Sequence, residues 1–185
     1  HSRIPFLHYA QDYDKVPDAA HMPNCWPRTP LSPCAMVHSE TTSGILNDIQ
    51  SVGKVVRDAG RTFIVDAMSS FGGVDIPVAD WGIDFLVSSA NKCIQAAGFS
   101  FILCRRDKLL ASEGKARSLS LDLLDQWKGM EKDGKWRFTS PTHVVLALQA
   151  LEELKEEVGA AAMPGMQNQR LLAENFRALG FVPYL

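Results

Sequence analysis

No apolar run in this chain approaches the roughly twenty residues that a bilayer-spanning helix requires. Its opening residues also lack the basic, apolar and small-residue succession of a secretory leader. A basic stripe is missing too. The 19 lysines and arginines stand against 21 acidic residues, with the signs interspersed and a formal charge of −2. Nucleic acid or an anionic membrane would therefore find no electrostatic footprint. Cysteine is sparse: Cys25, Cys34, Cys93 and Cys104 form neither a CxxC pair nor a dense framework. That favours reduced thiols in an intracellular, cytoplasmic protein, with organelle import left open. His1, His8, His21, His38 and His143 have no HExxH or similar spacing, so no metal site is expected.

What the chain does have is 46% apolar residues in 185, enough for one ordinary domain or a piece of a larger one. It opens on His1 and stops in "GFVPYL" just as a new apolar strand begins, so a fragment is expected. Short apolar runs alternate with helical patterns, the mark of βα units and a mostly parallel sheet. "CAMVHSE" (34–40), "FIVDAM" (63–68), "FLVSSA" (85–90) and "SFILCRR" (100–106) read as strands. Ile45, Ile49, Val52, Val56 and Ala59 recur at helical spacing, predicting a helix from near Asn47 to Gly60. A short helix is expected around Pro77 to Trp81. Ser140 before Pro141 starts another, whose apolar stripe is Val144, Leu148, Leu151, Leu154 and Val158 and whose stop is Gly159. A last helix is expected from about Gln167 to Leu179, with Gly180 closing it.

Segment 21–34 fits badly, because Pro23, Pro27, Pro30 and Pro33 deny it a helix interior. A codon choice for "CWPRTPLSP", read with its first two bases skipped, spells "LAADPAIT", a plausible helix end before a strand. A local frameshift or mispredicted exon between about His21 and Cys34 is the expectation.

The strand ends carry the chemistry, because loops converge outside the carboxyl ends of parallel strands. Glu40, Thr41 and Thr42 follow the first strand, Asp66 lies at the end of the second, and Lys92 follows the third. A lysine and a carboxylate from neighbouring strand ends are what pyridoxal phosphate needs: an amine for the Schiff base and an acid that keeps the pyridinium nitrogen protonated. Blander readings stand beside this one. Lysines seldom stay fully buried, so Lys92 also suits a solvated strand end, and Asp66 suits a turn or cap.

The wording of four stretches separates these readings. "MVHSETTSGILNDI", "FIVDAMSSFGGVDI", "DFLVSSANKCIQ" and "RSLSLDLLDQWKGMEKDGKWRFTSPTHVV" resemble, in order, the 2-aminoethylphosphonate:pyruvate transaminase family of aminotransferases. Alanine:glyoxylate aminotransferase is the cousin group. The resemblance implies an α/β fold: part of the large domain of a fold type I transferase, spanning 1–185, with a mostly parallel sheet flanked by helices. The N-terminal part and a C-terminal small domain would be missing, with residues 160–185 leading toward the latter. It implies that Lys92 holds pyridoxal phosphate and moves a proton during transfer, and that Asp66 meets the ring nitrogen. Thr41 lies near the ring. Thr139 reaches the cofactor phosphate of a neighbouring subunit in a homodimer, or simply precedes a helix. The implied reaction moves the amine of 2-aminoethylphosphonate to pyruvate, giving phosphonoacetaldehyde and alanine. His38 is expected as a packed strand-end residue and Cys93 as an inert buried thiol.

Three departures bound the resemblance. The phosphate-binding loop and ring-stacking residue would lie before His1, and the substrate-binding arginine would lie beyond the last residue. Arg105, Arg106 and Arg137 do not match that arginine's motif. The glycine-rich turn after "KCIQ" is shortened here to "AAGFS". Two alternatives follow: an alanine:glyoxylate or serine:pyruvate type transaminase, and a truncated, non-catalytic product.

Overall fold

In the computed structural model, the described residues are 4, 6–12, 15–26, 33–93, 98–146, 171–172 and 174–180. Among them Cys34–Val37 (β1), Phe63–Asp66 (β2), Phe85–Ser89 (β3) and Ser100–Cys104 (β4) form one sheet in chain order. β1, β2 and β3 are parallel, as expected. β4 is not: it returns antiparallel to β3, pairing Phe85 with Cys104 and Ser89 with Ser100. The physical reason is the short link, residues 90–99, because a parallel return needs a crossover of about a dozen residues or more.

Between β1 and β2 runs helix α1, Ile49–Asp58. The Asp48 carboxylate starts it by accepting a hydrogen bond from the Ser51 amide at 2.9 Å. Gly60, at φ +66°, ends it, and the Arg61 amide donates back to Val56 at 3.1 Å. Ile49, Val52 and Val56 are buried against Phe63, Val65 and Leu86. Full burial of each such side chain contributes roughly 1.5–3 kcal/mol. Gly53 shares that buried face, while Ala59 is exposed at the C-cap.

Alternation along β2 puts Phe63 and Val65 on the α1 side and Ile64 and Asp66 on the other. At the far end of the sheet Asp84, almost wholly buried, accepts from the Phe63 amide at 2.9 Å. Arg105 approaches the same carboxylate at 3.4 Å and Lys108 at 3.9 Å. This fixes the entry of β2 against that of β3.

The expected helix at Pro77 to Trp81 is a turn instead. The Trp81 amide donates to Pro77 and that of Ile83 to Val78, both at 3.0 Å, and Gly82 at φ +69° stops the winding. Two helices had no counterpart in the periodicity: α2, Arg106–Leu110, and α3, Leu123–Asp133. Asp122 caps α3 through the Asp125 amide, and Gly134 closes it at φ +70°. Helix α4, Thr142–Leu146, begins as predicted, with Pro141 accepting from the Val144 and Val145 amides at 3.0 Å. The predicted continuation to Gly159 lies outside the described residues. Residues 171–172 and 174–178 are helical and Gly180 follows at φ +86°; the predicted start near Gln167 also lies outside. Residues 27–32 of the proline-rich segment lie outside as well, while Met22–Cys25 forms a 3₁₀ turn.

Candidate active site

Asp66 is the last residue of β2 and pairs in register with Val37 on one side and Val87 on the other. Its position is fixed from several directions. The His38 amide donates to the Asp66 carbonyl at 2.8 Å, and the carboxylate Oδ1 accepts from the Met68 amide at 2.9 Å. The backbone then turns sharply, with the Ser70 and Phe71 amides both donating to Ala67. Ser88 is buried and donates through its hydroxyl to the Ala67 carbonyl at 3.2 Å, which ties β3 to this turn.

His38 braces the turn from the β1 side. It is buried, its Nδ1 lies 2.9 Å from the Ser70 hydroxyl, and its ring meets Trp81 edge-on at 6.3 Å. Burial disfavours the charged imidazolium and pushes its pKa below the usual histidine value. The expected role as a packed strand-end residue agrees with this geometry.

Lys92 leaves the end of β3 through buried Ala90 and exposed Asn91, and is itself exposed. Small residues explain the path: Ser88, Ser89 and Ala90 are all buried where β3 meets its neighbours, and the Ala90 amide donates to Phe99 at 3.1 Å. Cys93 departs from expectation. It is exposed rather than buried, and its thiol approaches the Ser69 carbonyl at 3.6 Å, so its sulfur faces the turn after Asp66 and not the core.

Thr41 stands on an exposed turn at the tip of β1, closed by Gly44 at φ +82° and by hydrogen bonds between Glu40 and Ile45 and between Gly44 and Glu40. Lys92, Asp66 and Thr41 are thus all carried by one end of the sheet. Thr139 is exposed on the segment between α3 and α4. Arg137 anchors that segment, pairing with Asp125 and donating to the Leu119 carbonyl. Helix α4 packs back on the link beyond Lys92: a Cβ added at Gly98 would lie 3.0 Å from Val144. Sequence reasoning missed one further feature, a depression of about 480 Å³ lined by Met68, Ser89, Asn91, Gly98, Phe99 and Ser100. No local sequence pattern marks it, because its walls come from both ends of the β3–β4 link and from the turn after β2.

An amine and a carboxylate at neighbouring strand ends are the chemistry that pyridoxal phosphate uses, and Asn91 and Met68, which line the depression, lie one and two residues from Lys92 and Asp66. Residues 29–177 match the family model for aminotransferase class V. The chain belongs to the class-V aminotransferase family. It is 58% identical over 156 residues to the 2-aminoethylphosphonate–pyruvate transaminase of Salmonella schwarzengrund, covering 82% of this chain and 42% of that protein. The like-named protein of Syntrophobacter fumaroxidans is 57% identical over 152 residues, covering 80% of this chain and 41% of its own length. The chain therefore spans well under half the length of the curated relatives it matches. Among solved structures, the alanine–glyoxylate aminotransferase of Nostoc sp. superposes with a TM-score of 0.74 over 93% of this chain and 47% of that one. At 21% identity that likeness establishes the fold alone. Among the described residues no helix is long and apolar enough to cross a membrane.

Proposed function

We propose that this chain supplies the lysine-and-aspartate part of a pyridoxal phosphate-dependent transaminase that moves the amine of 2-aminoethylphosphonate to pyruvate. The observation that carries the reading is the placing of Lys92 and Asp66 at the same end of adjacent parallel strands, in a chain 58% identical to relatives bearing that name. When bound, pyridoxal phosphate supplies an electron-accepting ring that withdraws charge from the carbon bearing the donor's amine.

The chain's own residues have separate tasks. Lys92 is the covalent tether at rest and the proton carrier at the amine-bearing carbon of the donor during turnover. Asp66 presents its carboxylate to the ring nitrogen and holds a proton there. Its Oδ1 bond to the Met68 amide orients the carboxylate for that role. His38 and Ser88 keep the Asp66 turn against the ends of β1 and β3. Thr41 lies at the ring, and Thr139 serves the cofactor phosphate of a second copy in a homodimer. Leu119, Leu121 and Phe138, all largely exposed near that segment, support its meeting another apolar surface.

The test uses a hybrid in which the Salmonella relative supplies the sequence outside the matched segment. Phosphonoacetaldehyde and alanine should form from 2-aminoethylphosphonate and pyruvate, and not in Lys92→Ala. Preference for alanine with glyoxylate, or for serine with pyruvate, would replace the donor assignment.

A further inference from the structure

The sequence "FGGVDI" places two glycines side by side, and the structure needs each for a different reason. Gly72 has φ +85°, where side chains are strained. Gly73 is not in that region; its constraint is space. A Cβ there would sit 2.9 Å from the Cys93 sulfur, closer than packed atoms approach. The same sulfur lies 3.6 Å from the Ser69 carbonyl. Cys93 thus fills the niche that a side chain at residue 73 would occupy. Its neighbour in sequence is Lys92, and Ser69 and Gly73 belong to the turn that leaves Asp66.

From this contact we infer that Gly73 and Cys93 are positioning residues, docking the Lys92 loop onto the Asp66 turn and so setting the amine against the carboxylate. The inference rests on the reading of Lys92 and Asp66 given above. On the Lys92 loop, buried Ala90 fixes the approach from β3 and the Cys93 contact fixes the exit, leaving the lysine between two anchored points. On the Asp66 turn, His38 grips Ser70 from one side and Cys93 grips Ser69 from the other.

A substitution cycle tests the contact, because its partners make opposite demands. Gly73→Ala overpacks the niche while Cys93 is present. With Cys93→Ala the sulfur is gone, and the nearest remaining atoms, the Ser70 carbonyl oxygen at 3.6 Å and the residue 93 Cβ at 3.8 Å, are at ordinary contact distances. The added methyl then has room. The hybrid described above and its three variants would be titrated with pyridoxal phosphate, reduced with borohydride and peptide-mapped, and the pH midpoint of the visible absorbance recorded. Amide hydrogen exchange over residues 69–74, measured without the cofactor, reads the contact itself.

Gly73→Ala alone should weaken cofactor retention at Lys92 about tenfold and shift the pH midpoint, the scale set by a modest overpacking strain. The double variant should recover to within about threefold of Cys93→Ala, with exchange over 69–74 following the same pattern. Additive effects on exchange and on the pH midpoint, with labelling still confined to Lys92, would overturn the positioning role alone. Absence of Lys92 labelling in the unsubstituted hybrid would overturn the functional reading on which it rests, and the positioning role with it.

Discussion

Asp66 at the end of β2 lies in register with Val87 of β3, and Lys92 follows the end of that strand at Ser89, so both residues belong to the same end of the sheet. Substituting Asp66 separates its contact with the Met68 amide from its proposed role at the ring nitrogen. Asp66→Asn keeps an acceptor for the Met68 amide but loses the charge. The hybrid's transamination rate should fall by about 100-fold or more, the scale of an acid–base group, while its urea midpoint barely moves. Asp66→Ala should lose the rate and about 1 kcal/mol of stability as well.

Gly53→Ala reverses the usual rule. In most helix interiors that exchange stabilises by up to about 1 kcal/mol. Here the new Cβ would overlap the Trp81 carbonyl oxygen and lie 3.2 Å from the Phe63 ring. A backbone atom cannot swing aside, so the variant should lose about 1–3 kcal/mol, measured by urea unfolding.

Asp84→Ala should destabilise by about 2 kcal/mol, mostly through the orphaned Phe63 amide. Arg105 adds little to this, because its side chain is more than half exposed and its attraction is screened. Asp84→Asn, which retains an acceptor, should recover most of the loss.

His38 gives stability a pH dependence of definite sign. Burial lowers its pKa in the folded chain, so below about 6.5, the ordinary histidine value, the unfolded chain binds the proton more readily. The stabilising contribution is complete above that pH. It declines as pH falls toward the folded pKa. Urea midpoints should drop between pH 7.5 and pH 5, and His38→Gln should flatten the slope.

The parallel core was legible because buried strands and an amphipathic helix write strong local patterns: Ile45, Ile49, Val52 and Val56 are all buried as their spacing requires. β4 was read as a strand, but its direction depended on the length of the 90–99 link, a topological fact that periodicity does not express. α3 had its signals in Asp122 and Gly134, yet buries only Leu124, so its apolar stripe was faint. Lys92 and Asp66 were legible as residues at strand ends. The niche of Cys93 was not, because it depends on how two loops distant in sequence meet. Transcript sequencing across His21 to Cys34 checks the frameshift expectation, and an unbroken frame encoding the prolines would end it.

The central claim is that Lys92 holds the cofactor. The direct measurement is borohydride reduction of the hybrid after titration with pyridoxal phosphate, followed by peptide mapping. A single pyridoxyl adduct on Lys92, absent in Lys92→Ala, is the predicted result. Label spread over many lysines and unchanged in that variant would contradict it.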